Sequence, residues 1–211
     1  MFSELELDAL REIGNIGAGN AATSLSEILH KKIKINVSQV KVLPFEHVAD
    51  SIGGAEKLVT GIFMRVNGDF KGNILIIIPE ALAYDLVKKL LKQTGKINGF
   101  SEMGKSALIE LGNIVSSSYV AALADFAGIN IKVSVPGFAF DMAGAILSFP
   151  LSLYGHMGDT VFLIETQFLE DLDNGQVHFL LNPDQESLKL LLDVIGVSSI
   201  ETNSSGGNGR I

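Results

Sequence analysis

The sequence predicts an α+β fold, a duplicated pseudo-twofold two-layer structure with a mainly antiparallel sheet and two surface-exposed helices. Three observations carry this. Residues 10–16 (Leu-Arg-Glu-Ile-Gly-Asn-Ile) return as residues 108–114 (Leu-Ile-Glu-Leu-Gly-Asn-Ile), and self-similarity at a long period marks a repeated structural unit. Antiparallel hairpins are joined to long amphipathic helices, a pattern unlike alternating βαβ units. Two long stretches space their apolar residues at the helical period.

The first helix is predicted from Ser3, where Ser3-x-x-Glu6 has capping-box spacing, to about His30. From Lys32 to Val42, Ile33, Ile35 and Val37 alternate with Lys34, Asn36 and Ser38, the pattern of a strand. Residues 58–66 and 72–78 form a hairpin around Asn67-Gly68-Asp69, and Pro79 leads into an apolar-periodic helix that ends near Leu91. The scheme then repeats. A helix is predicted over about 102–127 and a strand over about 129–135. Further strands follow over about 139–149, 159–168 and 175–181, and a helix over about 184–195. Residues 10–38 align without gaps on 108–136, with identities at Leu10, Glu12, Gly14, Asn15, Ile16, Leu25, Ile33, Lys34 and Val37. Residues 1–197 are therefore expected to form one domain of two repeats, about 1–97 and 98–197. The Ser/Gly/Asn-rich stretch 198–211 is expected to be a disordered tail.

Bulk properties narrow the function. With 211 residues, 47% hydrophobic and 19% charged, the chain can bury a full core. A formal net charge of −8 argues against nucleic acid, because a polyanion needs clustered Lys and Arg. The absence of cysteine excludes disulfides, thiolate nucleophiles and zinc–thiolate sites, and fits a cytoplasmic address. The acidic start lacks the order of a signal peptide, and no apolar run is expected to insert in a membrane.

Advancing about 100° per residue gathers Asp8, Glu12, Asn15, Gly19 and Ser26 into one stripe of the first helix. Leu10, Ile13, Gly17, Ala21, Leu25 and Ile28 fall opposite, toward the core. The second helix repeats this, with Ser106, Glu110, Asn113, Ser117 and Ala124 in the stripe and Leu108, Leu111, Val115, Leu123 and Phe126 facing inward. A single exposed Glu and Asn would be ordinary solvated surface. Two copies at the same spacing are not explained by packing. A carboxylate pairs with a partner's Lys or Arg, and a carboxamide one turn along offers a donor and an acceptor. The small neighbours Gly19, Ala22, Ser117 and Ala121 allow close approach to the helix. A carboxamide is too weak a base to deprotonate water, but it can orient water for in-line attack on phosphorus, as a Gln does in small GTPases. Gly14 and Gly112 are read as sites of close helix–sheet packing, since a helix glycine costs about 0.5–1 kcal/mol relative to Ala.

Other signals carry less. Gly17-Ala18-Gly19-x-x-Ala22 imitates a dinucleotide fingerprint but lies inside a helical pattern instead of following a strand. His30, His47, His156 and His178 lack metal-ligand spacing. No nucleophile elbow is present. Asp171, Asp173, Asn174 and Gly175 fit a hairpin turn better than a calcium loop.

The duplicated pattern Asp/Ser-x3-Glu-x2-Asn-x22-Pro resembles the signature of the CheC/CheX/FliY phosphatases of bacterial and archaeal chemotaxis. The second copy matches in full as Ser106, Glu110, Asn113 and Pro136; the first has Asp8, Glu12 and Asn15, with Ser38 where the proline falls. The resemblance runs through the chain except the tail. Two Glu/Asn pairs, and no appended flagellar switch domain, match the CheC branch. The resemblance implies a pseudo-twofold duplicated fold with both motif helices on the surface. It implies hydrolysis of the aspartyl phosphate of the response regulator CheY, with Mg²⁺ held by the regulator and no cofactor or metal of the chain's own. Glu12 or Glu110 would pair with the regulator's active-site lysine. Asn15 or Asn113 would align the attacking water, with Asp8, Ser106 and Pro136 in support. The deamidase CheD is a second implied partner. Ser38 in place of proline ranks the second site above the first. The alternative is a non-catalytic adaptor that binds CheY-P or CheD through the same stripes; a nucleotide-binding enzyme is a third reading.

Overall fold

The computed structural model describes residues 4–29, 32–95, 99–154, 160–169 and 176–195. Ser3, the stretch 171–175 and the expected tail 198–211 lie outside them. The first half contains α1 (Glu4–Leu29), β1 (Lys34–Pro44), a 3-10 turn (Phe45–His47), α2 (Val48–Ser51), β2 (Leu58–Gly68), β3 (Gly72–Pro79) and α3 (Glu80–Leu90). The second contains α4 (Glu102–Ala127), β4 (Ile131–Val133), β5 (Gly137–Met142), α5 (Ala143–Tyr154), β6 (Thr160–Leu169), β7 (Gln176–Pro183) and α6 (Gln185–Ile195). Ser101 caps α4, its hydroxyl accepting from the Gly104 amide at 3.1 Å, and Gly128 closes the helix in the left-handed region at φ 65°. Gly68, at φ 113°, turns the β2–β3 hairpin where Asn67-Gly68-Asp69 predicts it.

Among the described residues, seven strands pair antiparallel in one sheet, in the order β1-β6-β7-β3-β2-β4, with β5 also on β2. The two halves meet at the central β3–β7 ladder, which runs from Gly72↔Pro183 to Ile77↔His178. Their registers agree. Val133 and Gly137 pair with Val66 and Phe63. Ile35 and Gln39, which align with Val133 and Gly137 in the motif repeat, pair with Phe168 and Glu165.

The sheet alternation divides the core in two. One face carries Val37, Ile62, Met64, Ile74, Ile76, Phe162, Ile164, Val177 and Phe179, which pack with buried residues of α1, α3, α4 and α6. The other carries Leu75, Ile77, Val161, Leu163 and Leu180 and is covered by Val48 and Ile52 near α2 and by Ala143, Ile146 and Leu147 of α5. The expected α+β class is the observed one.

Two expectations need correction. The strand predicted over about 139–149 stops at Met142, and the chain turns into α5. The segment Ala143-Gly-Ala-Ile-Leu-Ser-Phe-Pro is a short apolar run, which periodicity alone does not assign to helix or strand. Ile28 and Phe126, predicted to face inward, are 57% and 46% exposed, because both lie in the last turns of their long helices. The helix α4 has the length and mean hydropathy of a membrane span, and half of that window is buried inside this fold. Its apolar face is core surface, supplied by Leu108, Leu111, Val115 and Leu123.

Candidate active site

The long helices α1 and α4 present their motif residues away from the sheet. Asp8, Glu12 and Asn15 on α1 are exposed, as are Ser106 and Glu110 on α4, while Asn113 is half-buried. The opposite faces are core: Leu10, Ile13, Ala21 and Leu25 on one helix, Leu108, Leu111, Val115 and Leu123 on the other. Within each helix Glu and Asn stand three residues apart, so both side chains rise from one face. Among the described residues, none of Glu12, Asn15, Glu110 and Asn113 takes part in a side-chain hydrogen bond or ion pair. Their donors, acceptors and charges are open to a visitor. Asp8 is engaged, pairing with Arg11 at 3.1 Å in the open. An exposed pair of this kind is worth little and can be exchanged.

The stripe's far end departs from the helical-wheel reading. The Ser26 hydroxyl donates to the Ala22 carbonyl at 2.6 Å and accepts from the Ile33 amide at 2.8 Å, so it ties α1 to the start of β1. Gly19 is exposed with open space around it, and Ser117 and Ala121 are exposed too, which keeps the surface beside the Asn residues low.

Both motif glycines sit on the sheet, as their cost in a helix predicts. A Cβ on Gly112 would lie 2.7 Å from Ile62 Cδ1 and 2.8 Å from its Cγ2. A Cβ on Gly14 would meet Val37 Cγ2 at 3.6 Å and Ile164 Cγ2 at 3.8 Å, ordinary contact distances. The strands beneath also differ. Pro136 separates β4 from β5 and leaves Val135 89% exposed. At the aligned position, Ser38 lies at a register shift between Val37 and Gln39, where β1 continues unbroken and Val37 is 6% exposed.

Sequence reasoning missed the seam between the two helices. Gly17 packs against the backbone of Tyr119. The Tyr119 ring stacks on Phe179, centroids 4.5 Å apart and 18° from parallel, and its hydroxyl meets Thr166 Oγ1 at 3.1 Å. Burial pushes the Tyr119 phenol up to about 12, against a smaller opposing effect of the Thr166 bond. A mid-helix glycine on the core face was the available signal. The Gly17–Gly19 segment lies inside α1, so the context a dinucleotide site needs is lacking. No cluster of three or more His, Asp or Glu side chains able to hold a metal ion occurs among the described residues.

Comparison with known proteins bears on the same residues. A family model described as CheC-like matches residues 5–37 and 103–139, which contain both Glu/Asn pairs. The CheY-P phosphatase CheC of Bacillus subtilis (strain 168) is 34% identical over 202 residues, covering 93% of this chain and 97% of that protein. The flagellar motor switch phosphatase FliY of the same organism is 28% identical over 137 residues, 64% of this chain and 35% of that protein. The crystal structure of Thermotoga maritima FliY superposes with a TM-score of 0.74 at 20% identity, covering 92% of this chain and 98% of that one.

Proposed function

This chain belongs to the CheC-like family, and from that premise we propose that it is a chemotaxis phosphatase that removes the aspartyl phosphate of the response regulator CheY. The observation that carries the reading is the pair of outward Glu/Asn sets, Glu12/Asn15 and Glu110/Asn113, on two helices of equal length. All four side chains are without internal partners among the described residues.

In this reading either helix docks against the regulator's phosphorylation site. Glu12 or Glu110 pairs with a lysine there. That pairing orients the helix and removes the lysine's charge from competition. Asn15 or Asn113 enters the site one helical turn along, where its carboxamide oxygen accepts from water and holds it in line with phosphorus. Water attacks, the acyl-phosphate P–O bond breaks, and the regulator's carboxylate departs with the bonding electrons. The water proton passes to the phosphate released. An acyl phosphate is already labile, so positioning is the main contribution required. Mg²⁺ is expected in the regulator, where it would neutralise charge on the phosphoryl group. The chain's net charge of −8 suits a visitor that presents a lysine. Asp8, Ser106 and Pro136 support their helices, and residues 1–197 act as one domain of two repeats. Action on CheY places the protein in the cytoplasm, with the deamidase CheD as a second partner.

Phosphate release from phosphorylated CheY tests the reading. The protein should accelerate it, and the Asn15→Ala, Asn113→Ala double variant should not. Regulator binding with the phosphate left intact would favour an adaptor instead. CheD binding is read separately by titration of the two proteins.

A further inference from the structure

Beneath the two motif helices the sheet is built differently, and a buried carboxylate with its partners marks the half under α1. Gly14, next to Asn15, rests on Val37 and Ile164. The residues that follow these two in the chain, Ser38 and Glu165, belong to a network on the opposite face of the sheet. The Ser38 hydroxyl donates to the Glu165 carbonyl at 3.1 Å and accepts from Gln176 Nε2 at 3.3 Å. The same Nε2 donates to Glu165 Oε2 at 2.7 Å, and Lys41 Nζ donates to Glu165 Oε1 at 2.6 Å. Glu165 is 7% exposed. A carboxylate is seldom buried so far without partners, and here both of its oxygens are engaged. The network joins β1, β6 and β7 directly under the seat of Gly14.

Among the described residues, the equivalent places in the other half hold no carboxylate and no lysine. Gly137 pairs with Phe63 where Gln39 pairs with Glu165. By the same registers Ala139 stands at the place of Lys41, Asn73 at that of Gln176 and Pro136 at that of Ser38. There the strand breaks, Val135 turns to solvent, and Gly112 presses on Ile62.

We propose that Ser38, Lys41, Glu165 and Gln176 form a positioning device for Asn15, one that stands in for the proline at the aligned position, Pro136, of the second repeat. The device keeps β1 whole across the register shift and holds Val37 and Ile164 under Gly14. It thereby sets the height and tilt of the helical turn that presents the carboxamide. It rests on the phosphatase reading above and assigns the first site a support of its own. Glu165 is its centre, a positioning residue that touches neither substrate nor water.

The test measures kcat and KM for phosphate release from phosphorylated CheY with the full chain in two backgrounds. In Asn113→Ala only the first site remains. Glu165→Leu is expected to lower kcat there roughly 3- to 10-fold at unchanged KM, since small misplacements of a positioned group are costly. Lys41, whose side chain is 34% exposed, can turn to water in that variant. Glu165→Gln keeps an oxygen for Lys41 and should restore most of the rate. In Asn15→Ala, where only the second site remains, Glu165→Leu should leave kcat unaltered. An unaltered kcat in the first background, or an equal fall in both, would overturn the device. An Asn113→Ala protein no faster than the double variant would remove the first site and its device together. Inactivity of the unmutated protein would remove the phosphatase reading itself.

Discussion

Gly17 and Tyr119 meet backbone to backbone: a Cβ at position 17 would stand 2.8 Å from the Tyr119 Cα and 3.0 Å from the base of its ring. The approach brings α1 and α4 into one layer over the sheet. Gly17→Ala is therefore expected to lose stability despite the better helix propensity of alanine. Overpacking typically costs about 1–3 kcal/mol and propensity returns about 1 kcal/mol, so a net loss of about 1 kcal/mol should appear in chemical denaturation. An unchanged midpoint would show that the helices move apart freely.

Asn15 and Asn113 carry the proposed chemistry without holding the fold. Each single Asn→Ala variant should retain activity from the other site, and the double variant should fall to the regulator's own rate of phosphate loss. Both positions lack internal bonds among the described residues; Asn15 is exposed and Asn113 half-buried, so each substitution should cost little, about 0.5 kcal/mol. Melting curves of the double variant should overlay those of the unmutated protein.

Tyr119 makes stability fall in alkali. Its pKa rises from 10.0 in the unfolded chain to about 12 in the fold. The fold thus favours the neutral phenol. This contribution is complete below pH 10 and is lost as pH climbs through about 12. Tyr119→Phe keeps the ring stack on Phe179 and removes the titration. Its cost at pH 7, from leaving the buried Thr166 hydroxyl unpaired, is about 1 kcal/mol. The difference from the unmutated protein should shrink between pH 10 and 12 in denaturant titrations.

His178 acts at the acid end. Burial lowers its pKa from 6.5, opposed by Glu165 across the ladder and assisted by Lys41 and Lys57. The unfolded chain therefore takes up this proton first. The contribution to stability is present above pH 6.5 and is lost as pH falls through the lowered folded value. His178→Leu, which copies Leu75 at the equivalent place opposite Phe63, should flatten the acid limb of the stability profile. An unchanged limb would assign the decline to other groups.

Much of this molecule can be read before folding it. The α1 and α4 stripes follow from the 100° step, because a long helix on a sheet has one dry face and Leu10, Ile13, Leu108 and Leu111 mark it. The β2–β3 hairpin follows from Asn67-Gly68-Asp69. What stayed hidden depends on neighbours distant in sequence. Nothing local distinguishes α5 from a buried strand until β2 is in place for Ile146 to pack on Gly61. The polar network is equally non-local, since Ser38 and Glu165 meet only after β1 pairs with β6. Ser38 read from sequence as a missing proline; folded, it is a residue with partners.

The unequal room beneath the motif glycines has a practical reach. At position 14 an alanine finds its nearest atom at 3.6 Å, whereas at 112 it would drive into both branches of Ile62. Identical letters in the two copies thus answer to unlike demands, room for a methyl group in one and a clash with Ile62 in the other. Gly14→Ala should be tolerated and even mildly stabilising, by about 1 kcal/mol, whereas Gly112→Ala should force Ile62 to shift and lose stability in chemical denaturation. Whoever wishes to engineer the pair apart has a free handle on the first helix that the second does not offer.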